Sequence, residues 1–154
     1  MDGWLLAGTI TAGVIGVLGA LLLVQRITLG KVRRVSAERI SRRYGAEPLL
    51  RQDLVANFFG LTSRGALQLR GNGGLVLTRS ELWFTRAVSE EAFEIPLREL
   101  IAVELVSSHL GKSVGRQLLK VRFRTVAGED SIAWYVKDPE DWRAELLRLT
   151  SSGG

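Results

Sequence analysis

The sequence of 154 residues has no cysteine, one histidine and three prolines. Without cysteine there is no disulfide framework, no thiolate-bound zinc, no iron–sulfur cluster and no thiol nucleophile. One histidine excludes a two-histidine metal site within a chain. A Ser-His-Asp triad would have to use His109, which directly follows Ser107 and Ser108. Adjacent side chains are poorly placed to aim at one another as nucleophile and base. No cofactor, no metal and no enzymatic activity are expected.

Charge is missing too, but only locally. Residues 3–25 carry none. Residues 26–51 carry eight Arg/Lys against Glu38 and Glu47, a net of +6. Residues 52–154 hold thirteen basic and thirteen acidic residues. The formal charge of +5 therefore belongs to one short segment. A nucleic-acid-binding domain should itself be basic, so nucleic acid is not an expected partner. Arg outnumbers Lys seventeen to four, a compositional bias that points to a GC-rich bacterial genome.

The charge-free run predicts a membrane helix over 3–25. At 1.5 Å per residue it reaches about 34 Å, enough for a hydrocarbon core of about 30 Å. A secretory signal needs a basic start and a shorter apolar core, whereas this N-terminus has Asp2 and no cation. Arg26, Lys31, Arg33 and Arg34 follow the span and nothing basic precedes it. The positive-inside bias then places the N-terminus outside and the C-terminal domain in the cytoplasm, on the inner (plasma) membrane. Trp4 stands where an interfacial anchor would. Gly8, Ala12, Gly16 and Ala20 form a small-residue stripe that permits close helix packing and homo-oligomers; Gly and Ala are also common in membrane helices without such a role.

Residues 26–59 read as a basic juxtamembrane linker. Arg26, Lys31, Arg33, Arg34, Arg39, Arg42 and Arg43 are candidates for contact with anionic headgroups, each worth about 1 kcal/mol near such a surface. A solvated topology signal is the plainer alternative. Val32, Val35, Ile40 and Tyr44 make only a loose apolar face, and Gly45 and Pro48 end any helix. Asn57-Phe58-Phe59-Gly60 is expected to dock on the domain that follows.

Residues 60–150 read as a small β domain, because the hydrophobic period becomes two. Leu67 and Leu69 predict a first strand, and Asn72-Gly73 a hairpin turn. Further strands are expected around Leu75–Leu77, Leu82–Thr85, Phe93–Leu97, Ile101–Val106, Leu119–Arg124 and Ile132–Lys137. Asp138-Pro139-Glu140-Asp141 supplies a cap, a first-turn proline and acids for a final helix. Trp142, Leu146 and Leu149 fall on one of its faces. Thr150 onward, and 151–154 in particular, reads as a frayed, disordered tail. The fold class is mainly β: a transmembrane α-helix, then a seven-stranded antiparallel barrel capped by a C-terminal helix.

The runs GNGGLVLTRSELWF (71–84), FEIPLREL (93–100) and DSIAWYVKDPEDWRAEL (130–146) resemble bacterial pleckstrin-homology-like and GRAM-like domains. That resemblance covers about residues 60–150 and implies membrane-associated lipid or protein binding without catalysis. The sequence departs from phosphoinositide-binding members of that family, whose basic ligand loop joins the first two strands, because the expected first connection, Arg70 to Gly74, is short and carries one charge.

The most site-like stretch is 107–116, where His109, Lys112, Ser113 and Arg116 could hold an anion or a partner; an ordinary solvated loop is the alternative. Gly111-Lys112-Ser113 is not a phosphate loop, since Val106 stands where the first glycine is required. Lys120, Arg122 and Arg124 form a basic row that Glu94 and Glu104 are expected to neutralise. The reading is a membrane-anchored binding module that engages a protein partner or anionic lipid. The alternative is a structural subunit that assembles through the helix stripe and the barrel surface.

Overall fold

The computed structural model describes the backbone of residues 3–151 and the side chains of residues 10–151. The side chains of Trp4 and Gly8, and the last three residues of the expected tail, lie outside the described set. The chain divides into two compact units after Lys31.

The first unit is helical and belongs to α1 (Gly3–Tyr44). From Ile10 to Gly30 its side chains are exposed. Ile10, Val14, Val17, Leu18 and Leu21–Val24 present apolar surface on every side. A helix apolar all round belongs in a nonpolar surrounding, and α1 is the one described helix long and apolar enough to cross a membrane. Positions 12, 16 and 20 are open, with nothing within 4 Å of a side chain placed at Gly16.

The second unit contains β1 (Arg51–Leu61), β2 (Gly71–Leu77), β3 (Glu81–Arg86), β4 (Ala92–Pro96), β5 (Leu100–Val106), β6 (Leu118–Thr125), β7 (Gly128–Tyr135) and α2 (Pro139–Ser151). The strands form one antiparallel sheet in the order β4-β3-β2-β1-β7-β6-β5. Strand alternation sends Leu75, Leu77, Leu82, Phe84, Leu119, Val121, Ile132 and Trp134 to one core. Phe58, Phe84 and Phe93 stack within it, with centroids 5.3–6.3 Å apart. The helix α2 adds Trp142 and Leu146, as their i, i+4 spacing requires. Asp138, at φ +55, turns the chain into this helix. The expected class is thus present: a long apolar N-terminal helix, seven antiparallel strands and a C-terminal helix.

The first strand is not where the period-two pattern put it. Leu67 and Leu69 are 98% and 79% exposed in a loop. That loop is held by Gln68, whose amide nitrogen donates to the carbonyls of Leu61 and Gly65, both at 2.6 Å. The first strand is β1, inside the segment expected as linker. Its alternation is broken by register shifts between Asp53 and Ala56 and between Phe58 and Leu61. The Asp53 carboxylate accepts the amides of Val55 and Lys137, each at 2.9 Å, and fixes the first irregularity. Phe58 and Phe59 do dock on the domain, as strand residues. Phe58 enters the core, and Phe59 packs outside it with Leu118 and Ala133. At the far end, α2 continues through Thr150 and Ser151, beyond the expected onset of the tail.

Asn72 and Gly73 are no turn; both lie in β2. Gly73 is required by close approach. A Cβ there would sit 1.9 Å from the Thr85 carbonyl oxygen and 2.9 Å from the Phe84 ring. Gly73→Ala is expected to lower stability by about 2–3 kcal/mol, read from denaturant unfolding of the detergent-solubilised chain by tryptophan fluorescence.

Candidate functional site

The second unit begins in the basic segment, because α1 does not stop at the end of the apolar run. Ser36 and Ile40 are buried, and Val32, Val35, Arg39 and Tyr44 are half-buried. Spacing of four residues from 36 to 44 aligns them on one face. That face meets the outer side of β2 and β3, where Ile40 clusters with Val76 and Trp83. Leu49 and Leu54 pack at the margin. Tyr44 sets its ring edge-on to Trp83 at 5.8 Å. Gly74 marks the closest approach, since a Cβ there would lie 3.0 Å from both Ile40 Cδ1 and Ser36 Cβ. The Ser36 hydroxyl is buried without a hydrogen-bond partner; this position needs a small residue, not a polar one.

Two arginines lock the face down. The Arg39 guanidinium donates to Thr85 Oγ1 at 3.2 Å, to the carbonyl of Arg86, to the carbonyl of Ser89 at 2.5 Å and to Glu90 at 3.1 Å. It thereby caps the β3–β4 turn. Arg43 bridges Glu81 at 3.0 Å and Glu94 at 2.7 Å. Its guanidinium also lies 5.4 Å from the ring centroids of Tyr44 and Trp83. Tyr44 donates its hydroxyl to Glu81 at 2.5 Å. Burial alone would raise the Glu81 carboxyl, but hydrogen bonds from Tyr44 and Arg43 outweigh it and hold Glu81 below the usual carboxylate range.

The seven expected membrane-surface cations therefore fall into two sets. Arg39 and Arg43 spend their charge on the sheet. Arg26, Lys31, Arg33, Arg34 and Arg42 are exposed, and Arg34 is 3.7 Å from Glu38 on its own helix. Arg33 also borders a cavity of about 260 Å³ lined by Arg51, Asp53, Lys137 and Trp142.

The 107–116 loop is a second focus. Leu110 and Gly111 both take positive φ, 51° and 73°. They form a two-residue turn closed by mutual backbone hydrogen bonds between His109 and Lys112 at 2.9 and 3.0 Å. His109 is buried, with Nε2 3.0 Å from the Gly60 carbonyl oxygen. Burial pushes its imidazole below the ordinary histidine value, against the opposing pull of that hydrogen bond. The neutral ring then donates from Nε2. Lys112 Nζ donates to the Gln68 carbonyl at 2.6 Å, and the Ser113 hydroxyl to the Ser107 carbonyl at 2.8 Å. Three of the four candidate residues thus bind backbone carbonyls of their own domain. Arg116 is exposed, beside Tyr135 and Lys137 at a cavity of about 420 Å³. Gly60 and Gln68, the partners that organise this loop, escaped sequence reasoning because 44 to 49 residues separate them from it.

The basic row on β6 is neutralised. Lys120 pairs with Glu104 at 3.5 Å, as expected, while Arg124 pairs with Glu99 at 3.2 Å and Arg122 with Glu129 at 3.8 Å. Glu94 instead serves Arg43.

No family model and no curated protein matches this chain. Several solved structures share its fold, two of which illustrate it. One is the crystal structure of the C-terminal domain of an unknown protein from Leishmania infantum, with TM-score 0.51 and 14% identity, over 74% of this chain and 97% of that one. The other is a chain of the 8S snRNP assembly intermediate, with TM-score 0.51 and 13% identity, over 67% and 82% respectively.

Two expectations follow from these contacts. Ile40→Ala is expected to cost about 2–4 kcal/mol and Arg43→Ala about 1–2 kcal/mol. Ser36→Ala is expected to be neutral or stabilising, since it removes an unpaired buried hydroxyl. Hydrogen exchange should quicken at residues 36–44 in the first two variants and in Gly74→Val, and remain unchanged in α2. The second concerns pH. Below about 6.5 the unfolded chain takes up a proton on His109 that the folded chain resists, so stability falls as pH drops. The unfolding midpoint should therefore decline between about pH 7.5 and about pH 5.5. His109→Gln keeps an amide donor for Gly60 and should flatten that decline.

Proposed function

We propose that this chain is a single-pass inner-membrane protein of bacterial type, with its N-terminus outside and its sheet domain in the cytoplasm. It works as a non-enzymatic binding module that engages a protein partner. The observation that carries this reading is the docked collar. Residues 36–44 are built into the sheet domain by Ile40, Arg39 and Arg43, so the basic segment serves the domain as a structural element. The exposed cations Arg26, Lys31, Arg33, Arg34 and Arg42 are left to meet anionic headgroups, which fixes topology and position.

A protein partner is favoured over lipid as the ligand of the sheet domain itself. His109, Lys112 and Ser113 are turned onto backbone carbonyls, the β6 row is paired with acids, and residues 52–154 carry no net charge. The resemblance to pleckstrin-homology-like and GRAM-like domains supports a binding role at a membrane. Tethering supplies the mechanism, because confinement at one surface raises the effective concentration of weakly bound partners.

The chain has no cysteine, so single cysteines at Arg34 and Arg116 can carry an environment-sensitive fluorophore. The full chain is reconstituted into vesicles of phosphatidylcholine, with and without phosphatidylglycerol. The probe at Arg34 is expected to respond to the anionic lipid in a salt-sensitive way, and the probe at Arg116 to stay silent. An equal response at Arg116 would replace the protein-partner reading with lipid recognition by the sheet domain.

A further inference from the structure

Most of the basic charge on the sheet domain is spent within it. Thirteen basic residues lie between 52 and 154. All but three give their charge to a carboxylate, a carbonyl or amide oxygen, or an aromatic ring among the described residues. Even Arg143 is held, donating from Nε to the Val103 carbonyl on the outer strand β5 at 3.4 Å. The exceptions are Arg79, Arg116 and Lys137.

Two of these three come together. Arg116 and Lys137 line the cavity of about 420 Å³ between the start of β6 and the end of β7. Gln117 and the half-buried Tyr135 add an amide and a hydroxyl to its lining. Both cations stand on fixed backbone. The Lys137 amide donates to Asp53 Oδ2 at 2.9 Å. Gly115, at φ +68, turns the chain just before Arg116, and its amide donates to Ser113 Oγ at 3.1 Å. Lys137 and Asp138 also line the cavity of about 260 Å³ that Arg33 borders. The two recesses meet at Lys137 and form a strip, with Arg33 of α1 at its far end. Of the other charged residues that line it, Arg51 is matched by Asp141 at 3.0 Å. Asp53 has both carboxylate oxygens on backbone amides. Asp138 alone opposes the cations.

We propose that this strip binds an acidic, extended segment of the protein partner. Carboxylates of that segment meet Arg116 and Lys137 as charge-assisted hydrogen bonds, and Gln117 and Tyr135 supply further donors. The cations stand in recesses, which a flexible chain enters and a flat bilayer surface does not. Charge matching of this kind sets partner choice and on-rate more than affinity, and confinement at one membrane offsets weak binding. The inference rests on the protein-partner reading and adds to it the chemistry of the partner.

Charge variants test it. The full chain in phosphatidylcholine nanodiscs is titrated with fluorescein-labelled oligoglutamate, and with oligoglutamine as the uncharged control, and anisotropy is read. Oligoglutamate is expected to bind and to weaken as salt rises, and oligoglutamine to stay free. Arg116→Glu and Lys137→Glu should each weaken binding about tenfold. Asp138→Asn should strengthen it about threefold. Arg79→Glu makes the same change in net charge beside a separate cavity and should leave binding unaltered. All four side chains are exposed, so the variants keep the core intact. An equal loss in Arg79→Glu, or none in Arg116→Glu and Lys137→Glu, would overturn the proposal. So would the absence of binding by the folded wild-type chain. In that last case the fluorophore at Arg116 separates the two readings. A response to phosphatidylglycerol gives the strip to the membrane and removes the protein-partner reading as well, whereas silence removes only the acidic segment.

Discussion

The outer faces of β2 and β3 carry Val76 and Trp83, and apolar surface on both sides of a ladder must be covered on both sides. The inner side is covered by the rest of the sheet and by Trp142 and Leu146 of α2. The outer side is covered by Ile40 and Tyr44 of α1. Everything particular to this protein depends on that second contact. It builds residues 36–44 of α1 into the globular unit, and it turns Arg39 and Arg43 onto the sheet.

The charge arrangement follows from this packing. A helix face that buries Ile40 also brings Arg39 and Arg43 to the β3–β4 hairpin, where carbonyls and Glu81, Glu90 and Glu94 receive them. Their pairs are partly exposed, and such pairs contribute modestly to stability. Their larger effect is on direction, since several acceptors around each guanidinium hold residues 36–44 at one depth on the sheet. Gly74 sets the depth from below, because any side chain there lifts Ser36 and Ile40. On the opposite edge, Arg143 plays a smaller version of the same part by occupying the Val103 carbonyl.

Much of the fold is legible from pattern. Six of the seven strands show alternation or clear turn boundaries, and α2 is announced by Asp138, Pro139 and its apolar spacing. The missed strand is instructive. Strand β1 carries two register irregularities, so Phe58, Phe59, Gly60 and Leu61 are buried in succession and the period is lost. Leu67 and Leu69 imitate a period that no neighbour completes. Asn72-Gly73 imitates a turn, although Gly73 is there because the Thr85 carbonyl comes too close for any Cβ. The site shows the same division. A basic collar is visible in composition, but its split into Arg39 and Arg43 on one side and Arg26, Lys31, Arg33, Arg34 and Arg42 on the other is not. That split depends on acceptors about 40 to 50 residues away.

The sequence by itself determined the lack of thiol and disulfide chemistry, the apolar helix, the basic segment after it and the neutral β-rich remainder. These are properties of composition and local period, and they need no knowledge of neighbours. Tertiary structure alone decided where the globular unit begins, which cations are spent, and why His109, Lys112 and Ser113 turn inward. It also decided that β5 lies on an edge. Each of these depends on which distant backbone donors and acceptors come within hydrogen-bonding distance, and a linear pattern carries no record of that.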